Sequence, residues 1–80
     1  MKNTPDKLYK IGEVAKMFKI SISTLRHYET IGLLKPEYID FKSGYRYYGI
    51  RQFESLNIIK YLRVLDMPIE TIKSFLLNRE

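Results

Sequence analysis

The segment Ser21-Ile22-Ser23-Thr24-Leu25-Arg26-His27-Tyr28-Glu29-Thr30-Ile31-Gly32 carries a helix start, a helix stop and two unlike faces. Ser21 is a good N-cap, because its hydroxyl can accept from the free N–H groups of a first helical turn. Ile20 and Leu25 stand at the N′ and N4 positions of that helix and make a hydrophobic staple. Gly32 suits the left-handed conformation that ends a helix, and Pro36 prevents its resumption. At about 100° per residue, Ser23, Arg26, His27 and Thr30 fall on one side, with Ile22, Leu25 and Tyr28 toward the other. One face belongs in a core; the other needs an aqueous, hydrogen-bonding partner.

The flanking sequence supplies the context for such a helix. Ile11, Val14, Ala15 and Phe18 recur at i, i+3, i+4 and i+7, which marks an amphipathic helix immediately upstream. Two short helices joined through Lys19-Ile20 read as a helix-turn-helix. Downstream, Tyr38-Ile39-Asp40 and Tyr45-Arg46-Tyr47-Tyr48 flank Phe41-Lys42-Ser43-Gly44, a pattern of β-formers around a glycine turn that predicts a hairpin. A third helix is expected from Gly49 to Leu65. Its apolar residues form two rows, Phe53, Leu56, Ile59 and Leu62 in one and Ile58, Tyr61 and Leu65 in the other, which predicts contact on more than one side. Asp66-Met67-Pro68 breaks the chain before a fourth helix over Pro68–Leu77, with Ile69, Ile72 and Leu76 as its stripe and Phe75 beside it. The expected fold is mainly α with one small β-hairpin. Residues 1–8 read as a polar leader and residues 9–80 as one domain.

Composition narrows the partner. Fourteen Lys and Arg against nine Asp and Glu give a net charge of +5 on 80 residues, which favours an anionic partner. With no cysteine, the chain has no disulfide scaffold, no thiolate zinc site and no cysteine nucleophile, which fits a reducing cytoplasm. His27 is the only histidine, so no metal-ligand set is expected. Glu29, Glu37 and Asp40 form no general acid/base pair, and no phosphate-cradling glycine loop is present. No enzyme and no cofactor are expected.

The outward face of the second helix fits the major groove of double-stranded DNA, where Arg reads guanine and hydroxyls serve bases or phosphates. Arg26 on an isolated helix is a solvated charge; beside a basic hairpin it becomes the expected base reader. His27 is weighed between a merely exposed side chain and a DNA contact, and Tyr28, on the core edge, between packing and phosphate contact. In the hairpin, alternation puts Tyr45 and Tyr47 on one face and Arg46 and Tyr48 on the other. One face is expected to pack on the third helix and the other to lie along phosphates, with Arg46 as a phosphate contact and the loop-tip Lys42 reaching a phosphate or a minor groove. Lys60 and Arg63 share a face of the third helix that reads as solvated.

With these motifs placed, the chain resembles the DNA-binding domain of the MerR family of transcription regulators. The resemblance rests on Tyr9-Lys10-Ile11-Gly12-Glu13-Val14-Ala15, Thr24-Leu25-Arg26-His27-Tyr28-Glu29, Ile31-Gly32-Leu33-Leu34-Lys35-Pro36 and Gly44-Tyr45-Arg46-Tyr47-Tyr48, in order and at the right spacing. It implies a winged helix-turn-helix, with the hairpin as first wing and the last helix pair as second. It implies DNA contacts at Arg26, His27 and Tyr28 on the recognition helix, at Tyr45 and Arg46 on the wing, and at Arg63 on the backbone. It further implies a homodimer on a palindromic promoter operator, bent and undertwisted for RNA polymerase, and joined through a helix beyond Glu80 that this sequence lacks. His27 departs from the aromatic usual in the family, and Asp66 from a frequent glycine. The rival expectations are a standalone, excisionase-like DNA-bending protein and a protein-interaction module docking through the fourth helix.

Overall fold

A computed structural model of the chain describes residues 7–78. The expected leader lies almost entirely outside the described residues. The first helix, α1 (Ile11–Phe18), buries Val14 and Ala15 and packs Ile11 and Phe18 against the core, as its spacing predicts. Its start is stabilised by Glu13, whose carboxylate accepts from the Lys10 N–H at 2.9 Å and places negative charge at the positive end of the helix. Its end is less legible in sequence. Lys19 adopts a left-handed conformation, φ 56°, that lets the Ile20 N–H return to the Ala15 carbonyl at 3.0 Å. The Lys60 ammonium, from far along the chain, donates to the Phe18 carbonyl, so Lys60 serves the fold rather than a solvated face.

The second helix, α2 (Ile22–Thr30), begins as predicted: the Thr24 N–H donates to the Ser21 hydroxyl at 3.0 Å. It ends in a Schellman motif, with the Leu33 N–H on the Tyr28 carbonyl at 2.8 Å and the Gly32 N–H on the Glu29 carbonyl at 3.1 Å. Gly32 is there at φ 74°, a conformation a side chain would strain. The turn folds Leu33 and Leu34 back into the core, a use the sequence reading did not assign them.

Three short antiparallel strands follow the order β1 (Tyr9–Lys10), β3 (Arg46–Tyr48), β2 (Tyr38–Ile39). The hairpin of β2 and β3 is the one expected, with Tyr38 opposite Tyr47 and Ile39 opposite Arg46. Strand β1, which pairs Tyr9 with Tyr48, is an addition. Two residues carry no alternation signal; only their partner makes them a strand. The sheet ties the segment ahead of α1 to the base of the wing.

The third helix, α3 (Ile50–Val64), seats Leu56 and Ile59 in the core beside Leu25, Tyr48 and Ile72, with Phe53 and Leu62 packed against it. The expected contact on more than one side is found, since α3 touches both the sheet and α4, but the second apolar row contributes little to it. Ile58 is only half-buried, while Tyr61 and Leu65 are 66% and 59% exposed. A core of this size is filled by one row, and the other is left on the surface of the described residues. The helix closes in a second Schellman motif, the Met67 N–H on the Leu62 carbonyl at 3.0 Å, around Asp66 at φ 64°. Helix α4 (Ile69–Asn78) then lays Ile72 fully into the core, flanked by Ile69 and Leu76.

Asp66 is tolerated in that left-handed position, but it strains the backbone and sets a negative charge at the negative end of α3. Asp66→Gly is therefore expected to stabilise the domain by roughly 0.5–1 kcal/mol, net of the chain entropy that glycine adds. A thermal melt should show a rise of about 2–8 °C. An unchanged midpoint would mean that Asp66 bears no cost there.

Candidate nucleic-acid interface

Helix α2 presents Ser23, Arg26, His27 and Thr30 on its exposed side, as the helical wheel predicts. The caps govern what these groups have to offer. The Ser23 hydroxyl lies 3.1 Å from that of Ser21, and the Thr30 hydroxyl donates to the Arg26 carbonyl at 3.1 Å. Thr30 thus spends its proton on the helix and keeps lone pairs for a partner. Arg26 and His27 project without such ties among the described residues. Tyr28 is 9% exposed and belongs to the core, the packing side of the two roles weighed for it.

The wing face question is answered by packing. Arg46 and Tyr48 turn inward, and Tyr45, 53% exposed, turns outward. Tyr48 is wholly buried, and its hydroxyl has no partner among the described residues. Burial, followed by the nearby Glu29 carboxylate, pushes its phenol pKa upward and keeps it neutral. Arg46 is half-buried at the joint between wing and recognition helix. Its Nε donates to Glu29 Oε1 at 2.9 Å, its Nη2 to Glu29 Oε2 at 3.2 Å and its Nη1 to the Gly44 carbonyl at 2.8 Å. The hydrogen bond to Glu29, then its charge, raises the pKa of the guanidinium still further above its ordinary value. Three of five N–H donors are thereby used. Arg46 is a strut that fixes the wing against the C-terminal turn of α2, a structural role that the expectation of a phosphate contact did not include.

The pair is about a quarter exposed, 26% and 22%, so water screens part of its attraction. A double-mutant cycle of Glu29→Ala and Arg46→Ala is expected to give a coupling of about 0.5–1 kcal/mol in thermal unfolding, weakening as salt is added. Strictly additive single variants would show that the contact does not hold the wing.

Between the N-terminal turns of α1 and α2 and the base of the wing lies an open groove of about 670 Å³. Lys10, Lys16, Arg26 and Arg46 line it, with Glu13 the one acid, and Tyr45 forms part of its rim. The Lys10 ammonium sits 4.8 Å from the centre of the Tyr45 ring, a cation–π contact that holds both at the edge of the groove. The structure thus brings together Arg26, Tyr45 and Arg46 among the expected site residues. Lys42 stands apart at the wing tip, and Arg63, exposed in the last turn of α3, does not line the groove. Lys10 and Lys16 were missed. Lys16 was findable, since it lies off the apolar stripe of α1 toward the helix that follows. Ile11, Ala15, Ile20 and Ile22 also line the groove, so it is the four cations, and not the groove's apolar surface, that suit a phosphodiester backbone beside the polar helix face.

Among the described residues there is no cluster of His, Asp and Glu suited to a metal ion and no helix long and apolar enough to cross a membrane. The family model described as MerR HTH family regulatory protein matches residues 9–78. The chain is 50% identical over 62 residues to the transcriptional regulator BrlR of Pseudomonas aeruginosa, covering 78% of this chain and 23% of that protein. It is 45% identical over 65 residues to the multidrug-efflux transporter 1 regulator of Bacillus subtilis, covering 81% and 23%. The chain therefore spans about a quarter of the length of these relatives. Among solved structures, the N-terminal part of the Bacillus subtilis multidrug transporter activator, MtaN, superposes with a TM-score of 0.80 at 34% identity, covering 85% of this chain and 63% of that one. A MerR-family regulator from Bacillus cereus superposes at 0.85 with 27% identity, covering 92% and 55%. These relatives are transcription regulators, which favours neither the excisionase-like nor the protein-docking alternative. Motif order, fold and relatives agree: the chain belongs to the MerR family of helix-turn-helix regulatory proteins, and residues 9–78 are its winged helix-turn-helix DNA-binding domain.

Proposed function

We propose that this domain reads double-stranded DNA in sequence with α2 in the major groove, as part of a cytoplasmic regulator that distorts its promoter. The observation that carries the reading is the polar row Ser23, Arg26, His27 and Thr30 standing beside the groove of Lys10, Lys16, Arg26 and Arg46. The helix face supplies donors and acceptors for base edges, and the groove supplies charge for the adjoining backbone. Tyr45 and Arg46 serve the backbone at the root of the wing, Lys42 at its tip, and Arg63 from the second wing formed by α3 and α4. The hydroxyl edge of Tyr28 is all that this residue can offer to a phosphate.

A single domain holds only one half-site, so the operator is proposed to be a palindrome bound by a homodimer, whose two-fold axis the DNA repeats. Bending and undertwisting that operator costs deformation energy, which the contacts of both halves offset. RNA polymerase then engages the reshaped promoter. The distortion step is catalysed by no residue; it is mechanical.

Selection of bound duplexes from a random-sequence pool tests the reading. A defined half-site should emerge, and affinity for it should fall with salt at a log–log slope of about −0.9 per phosphate contact, so about −4 to −5 for the cations Lys10, Lys16, Lys42, Arg46 and Arg63. A pool that returns no consensus, or a slope near zero, would remove the proposal.

A further inference from the structure

The wing tip carries the most exposed large apolar side chain among the described residues, Phe41, at 98%. It does not sit on a loose loop. Asp40 organises the turn: its carboxylate accepts from the Lys42 N–H at 3.1 Å and from the Ser43 hydroxyl at 3.0 Å. The Ser43 hydroxyl in turn accepts from the Tyr45 N–H at 3.1 Å. The Gly44 N–H donates to the Asp40 carbonyl at 2.7 Å, and the Asp40 N–H to the Tyr45 carbonyl at 2.9 Å. Gly44, at φ 77°, permits the reversal. The ring is therefore presented on a stiff mount, and fixing it against a partner costs little backbone entropy.

We propose that Phe41 is a wedge, which enters the minor groove of bound DNA and lodges its ring against a base step there. The proposal rests on α2 holding the adjoining major groove, as argued above. Arg46, opposite Ile39 in the hairpin register, is pinned to Glu29 at the end of α2, so the wing springs from the recognition helix. From Ile39 to the tip is two residues, about 7 Å of extended chain. A wing rooted at the end of α2 stands against the backbone that borders the major groove, and the neighbouring minor groove lies on the far side of that backbone, which is where the proposal sets the ring. Lys42 adjoins the ring, and the net charge of +5 favours an anionic partner, so an apolar groove on another protein is a poorer match. Apolar side chains used in this way partly unstack a base step and bend the duplex toward the major groove. Because the ring carries no hydrogen-bonding code, it favours steps by their deformability, pyrimidine–purine steps first.

The test uses the 80-residue chain and a duplex of about 30 base pairs that it enriches from a random pool, labelled at both ends for energy transfer. Phe41→Ala is expected to lower affinity about tenfold and to reduce end-to-end energy transfer, with the salt slope and melting temperature unchanged. Phe41→Leu, still apolar, should stay within about threefold of the native chain. Lys42→Ala should instead reduce the salt slope by about 1. If Phe41→Ala binds and bends the duplex as the native chain does, the wedge is wrong. If it does so while a full-length regulator carrying the same change loses activation of transcription by RNA polymerase, the ring docks on protein and the wedge is equally wrong. A native chain that enriches no duplex removes the DNA reading and the wedge together, a result distinct from either.

Discussion

Arg26→Ala should lower affinity for the selected operator tenfold to about a hundredfold, while changing affinity for unrelated DNA by less than about threefold. The first figure follows from a bidentate guanidinium–guanine contact, which discriminates by about 1–3 kcal/mol. The second follows from the loss of a single positive charge from a domain with several. Arg26 earns this role by contrast with Arg46. Both line the groove, but the guanidinium of Arg46 is divided between Glu29 and Gly44, whereas that of Arg26 makes no hydrogen bond among the described residues. Arg26→Lys should not restore discrimination, because an ammonium lacks the planar fork. Competition binding with selected and scrambled duplexes decides the matter. Equal weakening on both would make Arg26 a phosphate clamp and move base reading to Ser23 and His27.

The parts of this fold that the sequence expresses are those whose physics is local. Ser21 accepts from an N–H three residues away, Gly32 ends a helix with its own backbone angle, and Ile11, Val14, Ala15 and Phe18 share a face through helical pitch alone. Local chemistry also gave the hairpin its turn, through Asp40, Ser43 and Gly44. What escaped was settled by residues distant in the chain. Strand β1 exists because Tyr9 meets Tyr48, and Lys60 caps the end of α1 across 42 positions of chain. The same holds for Arg46. Its alternation with Tyr45 and Tyr47 was legible, but which face turned inward depended on Glu29, 17 residues earlier. The exposed polar row on α2 was read correctly because a helical wheel needs no tertiary information; the groove beside it, shared by α1, α2 and the wing, was not.

Leu25 precedes Arg26 and turns into the core while Arg26 stays exposed, so the two positions separate folding from reading. Leu25 is wholly buried, and Leu25→Ala should cost about 2–5 kcal/mol through lost transfer energy and the cavity left behind. An 80-residue domain holds roughly 4–12 kcal/mol in all, so much of its stability goes with that one side chain. A drop of at least about 10 °C in melting temperature is expected, with cooperativity retained. DNA binding should weaken too, but for a different reason than in Arg26→Ala: only the folded fraction binds. Lowering the temperature or raising the operator concentration therefore restores Leu25→Ala, because the ligand draws the equilibrium toward the folded state. Neither restores the discrimination lost in Arg26→Ala, whose melting temperature should match that of the native chain. If Leu25→Ala melts like the native domain, α2 is not mounted on the core through this residue, and the staple between Ile20 and Leu25 has no structural weight.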